Sequence, residues 1–545
     1  MYTANRLDLG LSLCNMLDAG FDALVGNVPP EMRQDAAGIA RATSYDCVGA
    51  VGAERGNLLW ACHNYWLQCR YAGDDDRLRQ NLLPLLRPAV GYYLHILQQG
   101  DDGRLHLPVS ISPEYPEQAP DTNYDLSLLR WGLTALLEAD GRLGLADPLA
   151  PTWRETLHNL APYPMDDNGL MVGAGVPFAQ SHRHFSHLLM IYPLRLLNGE
   201  QPESRELIDR SLRHWISFEG ALQGYSFTGA AAIAAGMGRG DEALGYMNRF
   251  LDRYVKPNTM YLEAGPVIET PLSAAQSVHE LLLQSWGGTL RVFAAVPETW
   301  KDVTFHRLRG EGGFLVSAAR REGRTQWVRI ESLAGEPCRV RTDLIGPVQV
   351  RGARAVKAVD EGDGLLRLDL RQGESAVLTG VDAPESPTVA PVAVDALVAN
   401  HYGSPKTPPI PQADDGGFDL HAAKAAIHGD KLFYEKTPTK DNLGRWIDAD
   451  DWASWDLLVS SPGEFDVIAT YAGVAADRSF ELLVAGRRLE HQIHNTGAWD
   501  AFRDFPLGRV RLSEVGRVSL SVKPVKLPGG GLMNLQRIRL VPAEG

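Results

Sequence analysis

Residues 121–138, DTNYDLSLLRWGLTALLE, carry the pattern that decides the fold of the first part of the chain. Apolar residues at steps of three and four predict a helix with one broad apolar face. The leucines that form this face are Leu126, Leu129, Leu133, Leu136 and Leu137. Comparable stretches, separated mostly by Gly- or Pro-bearing breaks, occupy 58–71, 78–98, 183–198, 204–215, 229–237 and 241–254. No motif recurs at a fixed period, so a closed helical barrel over 1–300 is favoured over a repeat solenoid.

The apolar period changes to two after residue 300. Val328 and Ile330 alternate with Arg329 and Glu331, which is typical of half-buried strands. We expect a β-sandwich domain over 301–383, a Pro-rich linker over 384–412 and a C-terminal β-sandwich of jelly-roll type over 413–545. The last is a candidate carbohydrate-binding module. Its four tryptophans are either core or sugar-stacking residues: Trp446, Trp452, Trp455 and Trp499.

Composition indicates a large multidomain enzyme and excludes several partners. The chain has 545 residues and a formal charge of -14, which argues against nucleic acid or an anionic membrane as a partner. No apolar run approaches the length of roughly 18 residues that a membrane span needs. Arg6, Asp8 and Asp18 interrupt any secretion signal as written, and a periplasmic or secreted location stays open if the natural start lies upstream. The odd number of cysteines, with no C-x-x-C pair, favours buried thiols over disulfides or zinc.

Polar residues on the breaks between helices supply the candidate chemistry. Ser112-Pro113-Glu114-Tyr115 is an extended loop that carries a carboxylic acid, and Ile268-Glu269-Thr270-Pro271-Leu272 carries a second. Between them lies the cluster His182-Arg183-His184-Phe185-Ser186-His187. Two carboxylates with a His/Arg cluster indicate a site that cleaves carbohydrate. No carboxylate or cysteine accompanies the histidines at ligand spacing, so we expect no metal and no other cofactor.

Three segments resemble a known family. SPEY, SHRHFSHLLMIYPL and HELLLQSWGGTLRVFAAVPETW are similar to the catalytic domain of glycoside hydrolase family 95, the inverting α-L-fucosidases and their relatives. The similarity extends over roughly 55–380. It implies an (α/α)6 barrel followed by a β domain, while the large N-terminal β domain of the family has no counterpart here.

The resemblance also implies roles for individual residues. Glu114 falls at the position of the general acid, with Tyr115 where the family has Asn. Glu269, in Glu-Thr-Pro, falls where the family has a catalytic Asp in Asp-Gly-Asn, and Glu263 nearby is an alternative base. Two family asparagines that orient the attacking water are Leu58 and Trp60 in this chain. The substrate-binding residues that we predict are His63, Asn64, Asn123, Asp125, His182, Arg183, His184 and Glu263. Asp125 has a second interpretation, as the N-cap of its helix.

Glycoside cleavage by inversion requires one protonated carboxyl and one ionised carboxylate, about 6.5–9.5 Å apart. We therefore expect an inverting exo-glycosidase acting on a terminal α-L-fucosyl or related α-L-galactosyl group of an oligosaccharide or polysaccharide. A polysaccharide lyase with a helical toroid is one alternative, with Tyr115 and the His/Arg cluster as its machinery. A sugar-binding relative without catalysis is another, supported by the changed base motif. The aglycone, the linkage and the oligomeric state stay open.

Overall fold

The computed structural model describes residues 1–256, 259–263, 267–381, 387–392, 409–437 and 440–543. A helix-rich region is followed by a β-rich region, as the change of apolar period predicted. The chain divides into two compact units. One comprises Met1–Phe250 with Glu263–Val398, and the other comprises Leu251–Leu262 with Ala399–Gly545.

The helices of the first region pack around a large apolar core that includes the predicted leucine face of residues 126–136. They are α1 Leu7–Ala19, α2 Phe21–Gly26, α3 Asn57–Ala72, α4 Asp75–Arg77, α5 Leu83–Ile96, α6 Asn123–Leu143, α7 Ala150–Asn159, α8 Pro202–Ser217, α9 Gly224–Gly236, α10 Gly240–Tyr254 and α11 Glu269–Leu282. Three short hairpins lie in the same region: β1 Gln98–Gln99 with β2 Leu105–His106, β3 Ser110–Ile111 with β4 Gln118–Ala119, and β5 Met165–Asp166 with β6 Gly169–Leu170. Of the helices in the described residues, none is long and apolar enough to cross a membrane.

Helix α6 begins at Asn123 because Thr122 caps it. The Thr122 hydroxyl accepts a hydrogen bond from the backbone N–H of Asp125, so Asp125 is not the N-cap. The helix ends at Gly144, whose φ of 61° is the left-handed conformation that closes many helices. This cap fixes the position of the buried first turn of α6.

Two five-stranded sheets face each other over a shared apolar core in the remainder of the first unit. Their orders are β13-β16-β11-β10-β9 and β14-β15-β12-β8-β7, with β12 parallel to β8 and the other neighbours antiparallel. The strands are β7 Leu283–Trp286, β8 Thr289–Val292, β9 Val303–Gly310, β10 Phe314–Arg321, β11 Arg324–Ser332, β12 Cys338–Arg341, β13 Gln349–Gly352, β14 Ala358–Gly362, β15 Leu365–Leu368 and β16 Ser375–Thr379.

The sheets of this sandwich begin before the predicted boundary at residue 301. β7 and β8 precede that boundary and belong to one of its sheets. All four residues of β8 are buried, so this strand lacks the alternation of apolar and polar residues on which the boundary was based. The short length of both strands also weakened the signal.

The second unit contains two six-stranded sheets around its own core. The paths of these sheets are β17-β22-β27-β24-β25, with β19 beside β22, and β20-β21-β28-β23-β26, with β18 beside β28. The strands are β17 Ile410–Pro411, β18 Phe418–His421, β19 Ala426–His428, β20 Phe433–Thr437, β21 Lys440–Gly444, β22 Trp452–Val459, β23 Gly463–Ala472, β24 Ser479–Val484, β25 Arg487–Gln492, β26 Arg503–Leu512, β27 Gly516–Lys526 and β28 Asn534–Pro542.

The predicted linker bounds differ from the structure at their C-terminal end. Most of the predicted linker, including Pro384, Pro405 and Pro408, lies outside the described residues. Its predicted end at 412 is too late because Ile410–Pro411 pairs with β22.

Of the four tryptophans, Trp446 and Trp455 are core residues, whereas Trp499 is 36% exposed. Trp452 stacks on His428 and lies under the Lys523 ammonium.

The five cysteines are buried and free, as their spacing predicted. Burial raises the pKa of Cys62 and Cys338 above the ordinary thiol value. These side chains therefore stay uncharged near neutral pH and pack as small apolar groups.

Candidate active site

The loop between β3 and β4 holds Glu114 in a strained conformation. Its φ of 57° is rare for a residue with a side chain and costs free energy that surrounding contacts must offset. The loop is anchored on both sides of Glu114. The Ser112 and Ser186 hydroxyls lie 2.7 Å apart, and the Tyr115 hydroxyl accepts a hydrogen bond from the Ala179 N–H.

Three side chains from distant segments converge on the Glu114 carboxylate. An Arg41 terminal nitrogen lies 2.7 Å from its Oε1, and an Arg183 terminal nitrogen lies 3.0 Å from its Oε2. The His184 Nε2 lies 3.3 Å from the same Oε2. The Glu114 side chain remains 32% exposed, so a ligand can reach it.

Each arginine also connects Glu114 to a second, more deeply buried carboxylate. Arg183 Nη1 lies 3.9 Å from Glu263 Oε1, and the Glu263 side chain is only 4% exposed. Arg41 Nε lies 3.2 Å from Glu54 Oε2, with Glu54 7% exposed. We call these six residues, Arg41, Glu54, Glu114, Arg183, His184 and Glu263, the Glu114 cluster.

The carboxyl groups of the cluster differ in their proton affinity. Burial by itself would raise the pKa of Glu114, but the hydrogen bond from Arg183 and the charges of Arg183 and Arg41 lower it below its ordinary value. Burial raises the pKa of Glu263, against a backbone hydrogen bond from Tyr225 and the charge of Arg183. Burial likewise raises the pKa of Glu54. Carboxyl groups with divergent pKa values in one cluster mark a candidate catalytic site, and in the free site the directions favour an ionised Glu114 and a protonated Glu263.

The histidines of the predicted cluster have separate roles. Burial lowers the pKa of His184 to about 4, so its contact with Glu114 at neutral pH is made by an uncharged ring. The His182 ring packs against Tyr115, and its Nδ1 accepts the His184 N–H. His187 is buried and stacks on Phe178 at 4.4 Å between centroids, which is a structural role.

Glu269 is close enough for its charge to raise the pKa of Glu263, but it makes no ion pair with the arginines of the Glu114 cluster among the described residues. It is the first residue of α11 and is exposed, and no hydrogen bond or ion pair engages its carboxylate among the described residues. The sequence resemblance predicts that Glu269 faces Glu114 as the general base. The alternative base, Glu263, is the carboxylate that lies near Glu114 through Arg183. The reason is that Arg183 contacts Glu263 at 3.9 Å, whereas no ion pair joins Arg183 to Glu269 among the described residues.

Two further predicted binding residues lie beneath the surface. Asp125 is 1% exposed, and its oxygens accept hydrogen bonds from the Tyr93, Ser110 and Thr122 hydroxyls at 2.6, 2.6 and 2.9 Å. Asn123 is fully buried, and its amide donates to the Pro164 and Met171 carbonyls. The structure assigns both residues to the support of the first turn of α6 and of β3, not to direct contact with a sugar.

His63 and Asn64 line a different cavity, bounded mainly by α3, α6 and the segment 192–198. No residue of the Glu114 cluster is among its lining residues in the described chain. The sequence interpretation placed them with Glu114 because the Asn-Tyr-Trp motif follows the positions of the family's water-orienting asparagines.

Sequence reasoning missed Arg41 and Glu54. Glu54 stands just before α3, and Arg41 lies in an irregular segment, so neither has a motif or a helical face to mark it. The only local signal is a charged pair, Glu54-Arg55, immediately before a helix. Their role depends on contact with Glu114, which is 73 residues away from Arg41 along the chain.

Family models match most of the first compact unit. Residues 34–282 match the glycosyl hydrolase family 95 catalytic domain, and residues 284–378 match the glycoside hydrolase family 95 C-terminal domain. The two matches together span more than half of the chain. The chain therefore belongs to glycoside hydrolase family 95 and is a glycoside hydrolase.

Other comparisons gave weaker likenesses. No curated protein matches the chain. A mannanase with a family 35 carbohydrate-binding module from Podospora anserina is 16% identical with a TM-score of 0.21, over 24% of this chain and only 28% of the mannanase. A family 6 module from Zobellia galactanivorans (20%, TM-score 0.20) and a family 35 module from Clostridium thermocellum (17%, TM-score 0.21) align over 23% of this chain and 98% of each module. At these TM-scores the likenesses assign neither a fold nor a ligand to this chain.

Proposed function

We propose that the protein is an inverting exo-glycosidase that hydrolyses a terminal α-L-fucosyl or related α-L-galactosyl bond, with an (α/α)6 barrel as its helical region. The observation that carries the proposal is the carboxylate pair Glu114 and Glu263, joined by one guanidinium, in a glycoside hydrolase domain. The two contacts to one guanidinium set an upper limit on the separation of the contacting oxygens, and this limit is compatible with the range of about 6.5–9.5 Å that inversion uses.

Exposure suggests which carboxyl takes which role. Glu114 is on the open side, where a leaving aglycone must depart, so it is the proposed general acid. Glu263 is nearly enclosed, where one water molecule can be held, so it is the proposed general base. Glu114 gives its proton to the glycosidic oxygen as the bond to the anomeric carbon breaks. Glu263 takes a proton from the water that forms the new bond on the opposite face.

For this mechanism to operate, the ion pairs between the arginines and Glu114 must weaken so that Glu114 can be protonated. In the free site they lower the pKa of Glu114, which favours its ionised form. Arg41 is the more exposed of the two, at 58% of its side chain, and has Glu54 as a second partner. We propose that an entering sugar separates Arg41 from Glu114 and that the carboxyl then takes up the proton that it later donates.

Leaving-group dependence and azide rescue test the two roles. Glu114→Gln should lower kcat on a fucosyl oligosaccharide by roughly 10²–10⁴-fold and spare an aryl fucoside with a good leaving group. Glu263→Ala should lose turnover on both substrates, and azide should restore turnover with a fucosyl azide of inverted configuration as product. Glu155→Gln, at an exposed position of α7, is the matched control and should retain wild-type rates.

Product analysis separates the alternatives. Anomeric NMR of the first product formed should show inversion. Retention of configuration, or equal loss on both substrates in Glu114→Gln, would refute the assignment. Absorbance of an unsaturated uronide would indicate a lyase, and saccharide binding without turnover would indicate a relative that has lost catalysis.

We also propose that the second compact unit is a carbohydrate-binding module, with the β-sandwich domains and the connecting segment close to the ranges predicted from sequence. The exposed Trp499 supports this because an exposed indole is a suitable surface for a sugar ring. Affinity electrophoresis of the full chain in gels with soluble polysaccharides tests the proposal. Trp499→Ala should remove retardation, whereas Trp452→Ala should preserve it.

A further inference from the structure

A second polar cavity of about 760 Å³ lies within the first compact unit. Its walls come from α3, α6, the segment 192–198 and α11, and the turn Gly287–Gly288 between β7 and β8 lies on its border together with Glu311. This volume is within the range of about 300–1,000 Å³ that is common for small-molecule sites. We call it the α3 cavity.

His63 is an unpartnered polar group in the wall of the α3 cavity. It is 5% exposed, and its ring meets the Trp131 ring edge-on at 5.1 Å between centroids. Neither ring nitrogen has a hydrogen bond within the part of the chain that the structure describes. Burial lowers the pKa of His63 to about 4, so the ring is neutral and offers one donor and one acceptor. Because His63 lines the cavity, its ring nitrogens are available to a ligand with hydrogen-bonding groups.

The carboxylates of the wall indicate the charge of that ligand. Glu280 is paired with Arg195 at 2.7 Å and accepts a hydrogen bond from Gln276 at 3.0 Å. The Glu311 carboxylate has no hydrogen bond or ion pair among the described residues. Glu138 on the wall lies 3.8 Å from Arg70, and burial raises the pKa of Glu311 to about 7, so Glu311 is partly protonated at neutral pH. Among the lining residues of the described chain the one guanidinium, Arg195, is already paired with Glu280. A ligand carboxylate therefore finds no free guanidinium, whereas ligand hydroxyl groups can hydrogen-bond to these carboxyl groups.

Indole rings complete the wall. Four tryptophans line the cavity beside the polar groups: Trp60, Trp66, Trp131 and Trp286. The Arg291 guanidinium covers one face of Trp286 at 3.4 Å, which holds that ring in place. Rigid aromatic surfaces next to hydroxyl acceptors match the two kinds of surface of a sugar, apolar C–H faces and a polar rim.

We propose that the α3 cavity is a second saccharide site, which binds an uncharged monosaccharide or short oligosaccharide separately from the Glu114 cluster. The proposal does not depend on the catalytic assignment, because the two sites share no residue. Failure of Glu114 as an acid would leave it intact.

Tryptophan fluorescence of the full chain tests the proposal, because four indoles line the cavity. D-Galactose and L-fucose are the neutral probes, and D-galacturonate is the anionic probe. We expect a saturable change with a neutral probe and at least tenfold weaker binding of galacturonate. Glu311→Gln and His63→Phe should each weaken neutral binding at least tenfold, while the exposed control Glu155→Gln should not.

A variant of the Glu114 cluster shows which of the two sites binds the sugar probe. Arg183→Ala alters the Glu114 cluster and should leave the fluorescence titration unchanged. If the response disappears in Arg183→Ala and persists in Glu311→Gln, the sugar is at the Glu114 cluster and the proposal is wrong. Absence of any saturable response, or equal affinity for galacturonate, also overturns it. Because Glu311→Gln is nearly isosteric, it decides the question even if His63→Phe does not fold.

Discussion

At the residue scale, the central feature is that two guanidinium groups contact one carboxylate, that of Glu114. Glu114 contacts both Arg41 and Arg183 and bridges, through them, to Glu54 and Glu263. The arrangement balances charges in the empty site and can be rearranged by a ligand that competes for the guanidinium groups. Charge-assisted hydrogen bonds of this kind are strong and directional, so they also hold the strained loop.

Removal of the Arg41 charge should change the pH dependence of activity. The charge of Arg41 helps to lower the pKa of Glu114, so Arg41→Gln should raise that pKa. In the free site the pKa of Glu114 lies below that of Glu263, so Glu114 sets the acidic limb of kcat/KM. This limb should move upward by less than about one pH unit, since Arg41 is exposed and screened. Arg210→Gln, on α8, is the control. An unchanged or downward-shifted limb would contradict Glu114 as the acid.

At the scale of elements, the first turn of α6 and the β3–β4 hairpin act together. Asp125, inside the first turn, accepts a hydrogen bond from Ser110 at the start of the hairpin that carries Glu114. The same carboxylate accepts from Thr122 and Tyr93. A buried carboxylate with three hydrogen-bond donors thus links the core of the helical region to the loop that carries Glu114.

Thr122→Ala tests this link. The substitution removes the cap of α6 and one hydrogen bond to a buried carboxylate, and the loss of unfolding free energy should be roughly 1–3 kcal/mol. Thr122→Ser keeps the hydroxyl and should lose much less. Urea denaturation measures both variants. Equal losses for alanine and serine would show that the methyl group, and not the hydroxyl, is the important part.

At the scale of the whole molecule, several histidines are buried in neutral form. Burial lowers the pKa of His63 to about 4 and of His187 to about 3, while unfolded histidines titrate near 6.5. The unfolded chain therefore takes up protons first as the pH falls. The stability that these groups contribute is complete above about pH 6.5 and is lost as the pH falls toward their folded values.

Acid lability should follow from these histidines. Between pH 6 and pH 4, each should lower the free energy of unfolding by about 1.4 kcal/mol per pH unit. Urea unfolding at several pH values measures the slope. His63→Phe should make the slope shallower by about that amount, and the exposed control His158→Gln should not change it. An identical slope in His63→Phe would contradict the neutral, buried state of this histidine.

The second β region should fold when it is produced alone. Its core cluster consists only of residues between Ile410 and Leu540. A fragment of 409–545 is long enough to bury roughly two thirds of its unfolded surface. Circular dichroism should show β structure and a single cooperative thermal transition. A non-cooperative profile would show that the region requires the rest of the chain.

The sequence by itself determined the order of helix-rich and β-rich regions, the loop position of Glu114 and the His/Arg cluster. Those features depend on local patterns: apolar spacing along a helix, alternation along a strand, and Pro and Gly at the breaks. The leucine face of α6 and the buried cysteines belong to this group. β7 and β8 do not, because strands that are short, or buried on both faces, lack alternation.

Only the tertiary structure decided which side chains meet. It brought Arg41, Glu54 and Glu263 to Glu114, left Glu269 exposed, and moved His63 and Asn64 to a separate cavity. Asp125 proved to be a buried support and not a surface ligand. The physical reason is that these contacts join loops far apart in the chain, and their approach is set by helix packing and chain reversal, which leave no periodic trace in the sequence.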